Sequence, residues 1–161
     1  MLIHLMQHGA CLPKEVNSSQ PLSPVGREQV EKTARSAAML GLRFELVVAS
    51  SKVRSLQTAE IMASKTGYPV DRIVVSDAVK AMAPTAETLK FILDYEGLDS
   101  MLIVGHLPSL GLLASALLSP GKNVDIRVEN GGLMQFNFEP GKAATLNWAM
   151  TPAQLAVMAG S

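Results

Sequence analysis

The chain has a single cysteine in 161 residues, Cys11, so no internal disulfide forms and a small secreted scaffold stapled by disulfides is excluded. A lone thiol beside nine methionines fits a reducing compartment, and a cytoplasmic location is the expectation. Nor is there an excess of charge: 14 Lys and Arg balance 14 Asp and Glu. No global field draws such a chain onto nucleic acid or an acidic membrane, and neither is an expected partner. Long apolar runs are also missing. The longest, Leu107 to Leu118, carries a proline and two serines and falls short of the about 20 residues a membrane span requires. The opening Met1-Leu2-Ile3-His4 has no basic stretch, so no signal peptide is expected. With 48% hydrophobic residues, 17% charged and no repeat or low-complexity tract, disorder, collagen and coiled coil drop out as well. A single folded domain spanning 1–161 is the expectation, long enough to bury a real core.

Periodicity orders what is present. Leu2 to Met6 is a short apolar run that breaks at Gln7-His8-Gly9, the pattern of a buried strand. Ser23-Pro24 reads as an N-cap with proline in the first helical position, and the amphipathic pattern continues to Leu40, stopped by Gly41. Leu46 to Ala49 is a second strand and about Val53 to Thr66 a second helix ending at Gly67. Ile73 to Val75 is a third strand, Thr85 to Tyr95 a third helix, and Met101 to Val104 a fourth strand that breaks at Gly105-His106. Pro108 to Leu118 is a nearly apolar helix expected to pack deep. Gly132 to Phe138 and Thr145 to Met150 form a hairpin, and Thr151 caps a short final helix. This alternation predicts an α/β fold, a three-layer α/β/α sandwich on a mostly parallel sheet with a C-terminal hairpin.

Open sheets of this kind bind ligands at the carboxyl ends of their strands. His8 follows the first strand, Ser50 the second, with Arg54 opening the next helix, and His106 follows the fourth. Two imidazoles, a guanidinium and a hydroxyl thus share one rim, beside Gly9 and Gly105, which permit close backbone approach. Helix N-termini add N–H donors there, so the rim reads as an anion site. A zinc site is the rival. His4 and His8, however, lie about 13 Å apart on an extended strand, no carboxylate falls beside the other strand ends, and no metal is expected. His4, inside the strand, reads as a structural residue. Cys11 has no neighbouring base and is not proposed as a nucleophile.

Four pieces, Gln7-His8-Gly9, Pro21-Leu22-Ser23-Pro24-Val25-Gly26, Ala49 to Ala59 (ASSKVRSLQTA) and Val104-Gly105-His106, resemble the histidine phosphatase superfamily. Within it, the compact length and the ending Asn147 to Pro152 (NWAMTP) are most similar to the SixA-type phosphohistidine phosphatases. The resemblance implies a phosphoglycerate mutase-like fold and a phosphatase that needs no cofactor. It implies His8 as the nucleophile, forming a covalent phosphohistidine, with Arg54 as clamp and His106 as second imidazole. Gln7, Gly9, Ser50, Arg54 and His106 would line the phosphate. Gln57 and Thr58 would support Arg54 from behind. Two departures stand out. The family usually has arginine where this chain has Gln7, so a catalytically impaired phosphate or phosphoprotein binder is the alternative, unless Lys52 supplies the missing charge. The nearest candidate for a general acid is Glu87, equally well read as a first-turn helix carboxylate. The favoured partner is a phosphohistidine-bearing protein, with a small phosphate ester possible.

Overall fold

A computed structural model describes residues 1–160. Six strands form one sheet in the order β3-β2-β4-β1-β5-β6: β1 (Leu2–Gln7), β2 (Leu46–Ala49), β3 (Val74–Val75), β4 (Ser100–Gly105), β5 (Leu133–Asn137) and β6 (Thr145–Met150). β1, β4, β2 and β3 pair in parallel, whereas β5 runs antiparallel to both β1 and β6. β5 is therefore the one reversed strand. Helices α1 (Pro24–Met39), α2 (Val53–Thr66) and α5 (Pro152–Ala159) cover one face. α3 (Thr85–Leu93) and α4 (Ser109–Leu118) cover the other. The expected sandwich and hairpin are the observed ones.

The alternation along β1 shows why two layers are needed. Ile3 and Leu5 enter the core under α4, while Met6 joins Val30, Ala34, Val104 and Leu133 under α1. Ile3, Leu5, Met6, Leu102, Ile103 and Val104 have no exposed surface. At about 1.5–3 kcal/mol for each such side chain buried, β1 and β4 anchor the sheet. Their carboxyl ends are thereby held side by side, with Gln7 opposite Gly105.

Local signals set the helix ends. The Ser23 side chain accepts from Gly26 N–H, with Pro24 leading α1. Gly67 ends α2 at φ +79°, a conformation open to glycine at no steric cost. Thr151 and Gln154 form a reciprocal capping box before α5. Three expectations shift. The third helix stops at Leu93, short of Tyr95, and the third strand keeps only two residues, with single 3-10 turns at Val70–Arg72 and Asp77–Val79 around it. α4 is not wholly buried, because its apolar Leu112 lies 47% exposed beside the Asn123–Ile126 segment.

Candidate active site

The three strand ends converge. His8 and His106 face each other with ring centroids 4.9 Å apart, and Arg54, from the first turn of α2, donates from Nε to His8 Nε2 at 3.2 Å. The two imidazoles and Ser50 are buried; Arg54 is half-buried. His8 Nδ1 donates to the Gly9 carbonyl at 2.7 Å, so its proton sits on Nδ1 and the Nε2 lone pair points toward the guanidinium. His106 Nε2 shares a 2.5 Å hydrogen bond with Ser50 Oγ, which also accepts from the Lys52 backbone N–H.

Burial sets the charge state of both rings. It pushes His8 below its ordinary 6.5, against the pull of the Gly9 carbonyl and with help from Arg54. His106 falls to about 4, through burial first and then the positive potential of His8, Arg54 and Lys52. Both imidazoles are neutral near pH 7 while no anion is bound.

A second set of bonds fixes the positions of these groups. Thr58 Oγ1 accepts from the Gly9 N–H at 3.0 Å and donates to the Arg54 carbonyl at 2.7 Å, which joins the His8 loop to α2. Gln57 Oε1 accepts from Leu22 N–H and holds the 10–22 loop to the same helix. Thr58 thus bonds the Arg54 backbone directly, whereas Gln57 bonds the loop and not Arg54. Two contributors had no chemical signature. Ser55 Oγ accepts from Ser50 N–H and donates to the Val104 carbonyl, binding the ends of β2 and β4 together. Asn130 donates from Nδ2 to the His8 carbonyl at 2.8 Å. A small polar residue buried in a helix beside Arg54 was the available clue for Ser55.

Glycine is required at two points. A Cβ on Gly26 would lie 1.9 Å from the Ala10 carbonyl oxygen, and one on Gly9 would lie 2.5 Å from Val30. The first turn of α1 thus rests directly on the chain that follows His8.

The remaining expected residues sit differently. The Gln7 backbone is tied to Gly131 N–H, but its side-chain amide makes no hydrogen bond among the described residues. Glu87 is exposed in the first turn of α3 and has no ion-pair partner there. His4 is buried in β1, bonded to the Met101 carbonyl and to Gln135. No group of three or more His, Cys, Asp or Glu among the described residues is arranged to hold a metal ion. No described helix is long and apolar enough to cross a membrane.

Residues 3–75, which include His8, Ser50 and Arg54, match the family described as the histidine phosphatase superfamily (branch 1). That match spans a little under half of the chain and stops before His106. Among the histidine phosphatases it is similar to the phosphohistidine phosphatase SixA of Escherichia coli (strain K12), with 25% identity over 158 residues, 96% of each chain. The structure of the protein histidine phosphatase SixA complexed with tungstate superposes with a TM-score of 0.87 at 23% identity, covering 96% of this chain and 99% of that one. An alpha-ribazole phosphatase from Shigella flexneri superposes at 0.74 and 18% identity, over 94% and 97% of the two chains. At these identities the superpositions establish the phosphoglycerate mutase-like fold, and a fold shared by differently named phosphatases does not select a substrate.

Proposed function

We propose that this chain is a phosphatase that takes a phosphoryl group from phosphohistidine on a protein, through a covalent intermediate on His8 and without a metal. The observation that carries the reading is the His8 tautomer. With Nδ1–H held by the Gly9 carbonyl, Nε2 is the one ring nitrogen with a free electron pair, and it faces the cationic clamp.

The Nε2 pair attacks phosphorus as the phosphorus–nitrogen bond to the substrate imidazole breaks, and that imidazole departs with the bonding pair. Because the other nitrogen of the substrate ring carries a proton, the imidazole leaves as a neutral molecule and needs no enzymic acid, so Glu87 need not take part. Water then attacks phosphorus on His8, releasing phosphate and restoring the imidazole. Arg54 turns its N–H donors from Nε2 to the phosphoryl oxygens as substrate enters, matching the planar charge with a planar fork. His106 follows the phosphate dianion: neutral beforehand, it gains a proton or donates its N–H where negative charge accumulates. Ser50 holds the ring for that task.

The substrate choice rests on access. Between α2 and β4 the chain is occupied by two 3-10 turns, a two-residue strand and the nine-residue α3, which leaves no inserted segment to close over a small metabolite. A side chain projecting from another protein fits such an opening.

The neutral Gln7 amide, without a hydrogen bond among the described residues, favours one second reading: a module that binds the phosphoryl group but turns it over poorly. Rapid-quench labelling with a 32P-phosphohistidine protein separates the two. Transient label on His8, followed by free phosphate and abolished in His8→Ala, is the expected outcome. Retained substrate with neither label nor phosphate would replace the enzyme with the binder.

A further inference from the structure

Lys52 occupies a position that the local rules of helix formation disfavour. It is the N-cap of α2, where a short side-chain acceptor normally satisfies a free N–H, and it makes no such bond. Its cation stands at the positive end of the helix dipole. The first turn of α2 holds no acidic residue to offset it. The ion pairs among the described residues, Lys32 with Glu28, Arg127 with Glu129 and Lys142 with Glu139, all involve other cations. Lys52 and Arg54 therefore stand uncompensated on one turn, and both raise the positive potential at His106. The Lys52 backbone is tied to that imidazole through Ser50 Oγ. Repelling groups of this kind persist where an anion resolves them. The residue next to the nucleophile, Gln7, supplies none of the charge, because its amide is neutral.

We propose that Lys52 is a further catalytic residue, whose ammonium contacts the oxygens of the transferring phosphoryl group from the α2 side of the rim. The proposal rests on the reading of the rim as a phosphoryl site. Lysine acts here as a mobile point charge beside the fixed fork of Arg54. Its four-carbon stem lets it reach the phosphate when occupied and return to water when empty, in keeping with its exposure.

The test compares Lys52→Met and Lys52→Arg with the wild type. Inorganic phosphate affinity is followed by the histidine ring resonances, kcat/KM is measured on a phosphohistidine peptide at low and high salt, and thermal midpoints are recorded. Lys52→Met is expected to weaken phosphate binding and lower kcat/KM by about tenfold to a hundredfold, the range of a hydrogen bond to a charged group. It should also flatten the salt dependence. Its midpoint should stay level or rise, because a cation leaves the positive end of a helix. Lys52→Arg should recover most of the affinity. Wild-type phosphate affinity and kcat/KM in Lys52→Met would overturn the proposal. So would a loss in both variants that tracks a lowered midpoint, since that marks a structural role. A wild-type protein that releases no phosphate, yet loses phosphate affinity on Lys52→Met, would refute the phosphatase reading and leave the Lys52 contact standing.

Discussion

Acidification should unfold this protein in a way that can be assigned to one residue outside the site, His4. Its ring is 1% exposed and uses both nitrogens: Nδ1 donates to the Met101 carbonyl at 3.1 Å, and Nε2 accepts from Gln135 Nε2 at 2.9 Å. Gln135 cannot simply turn over, because its Oε1 accepts from Asn147 Nδ2. A second ring proton would meet an N–H donor in an apolar surround beside Phe44, whose ring centroid is 5.0 Å away. Burial accordingly holds His4 at about 4 instead of 6.5, the Met101 carbonyl offsetting only part of the shift. Between those values the unfolded chain binds a proton that the native chain refuses. The His4 contribution is thus complete above pH 6.5 and is lost as pH falls toward 4. At about 1.4 kcal/mol per unit the loss is about 3 kcal/mol, a large part of the 5–15 kcal/mol typical of a domain. Urea unfolding of the wild type and His4→Gln across this range, in phosphate-free buffer, measures it. His106 contributes a slope of its own, but one common to both proteins. His4→Gln should cost about 1–3 kcal/mol at neutral pH, from partners left unsatisfied. That gap should shrink by about 3 kcal/mol at the acid end. A gap that stays constant across the range would refute the reasoning.

Two further outcomes follow from the site. Gly26→Ala sets a methyl group against the Ala10 carbonyl oxygen at 1.9 Å, and shifting the first turn of α1 by about 1 Å to relieve it should cost about 100-fold in kcat/KM. A variant whose turnover matches the wild type would show that the α1 contact does not position His8. In the anion-free protein, ring NMR should titrate His8 below 6.5 and His106 at about 4, with both midpoints rising when phosphate binds. Midpoints at or above 6.5 in the free protein would mean that the rings are more hydrated than their burial implies.

Much of the fold was legible in the sequence, because strands β1, β2 and β4 are nearly unbroken apolar runs closed by polar or glycine residues. The caps at Ser23, Gly67 and Thr151 could be read for a similar reason: each bond they make, or each backbone angle they adopt, is local. The third helix was read two residues long because the first helix breaker after it is Gly97, whereas the chain already passes into a turn after Leu93.

The same contrast runs through the site. Sequence alone determined which chemical groups reach the carboxyl edge of the sheet, since a residue that ends a parallel strand has nowhere else to go. His8, Ser50, Arg54 and His106 follow from that rule. Tertiary structure alone decided their states. The approach of Arg54 to His8 Nε2, the neutrality of His106, the Thr58 link between loop and helix, and the Asn130 bond from far along the chain all depend on groups distant in sequence. Hydrogen bonds and desolvation act over a few ångströms of space, and chain order does not encode those distances until the sheet brings its strand ends together.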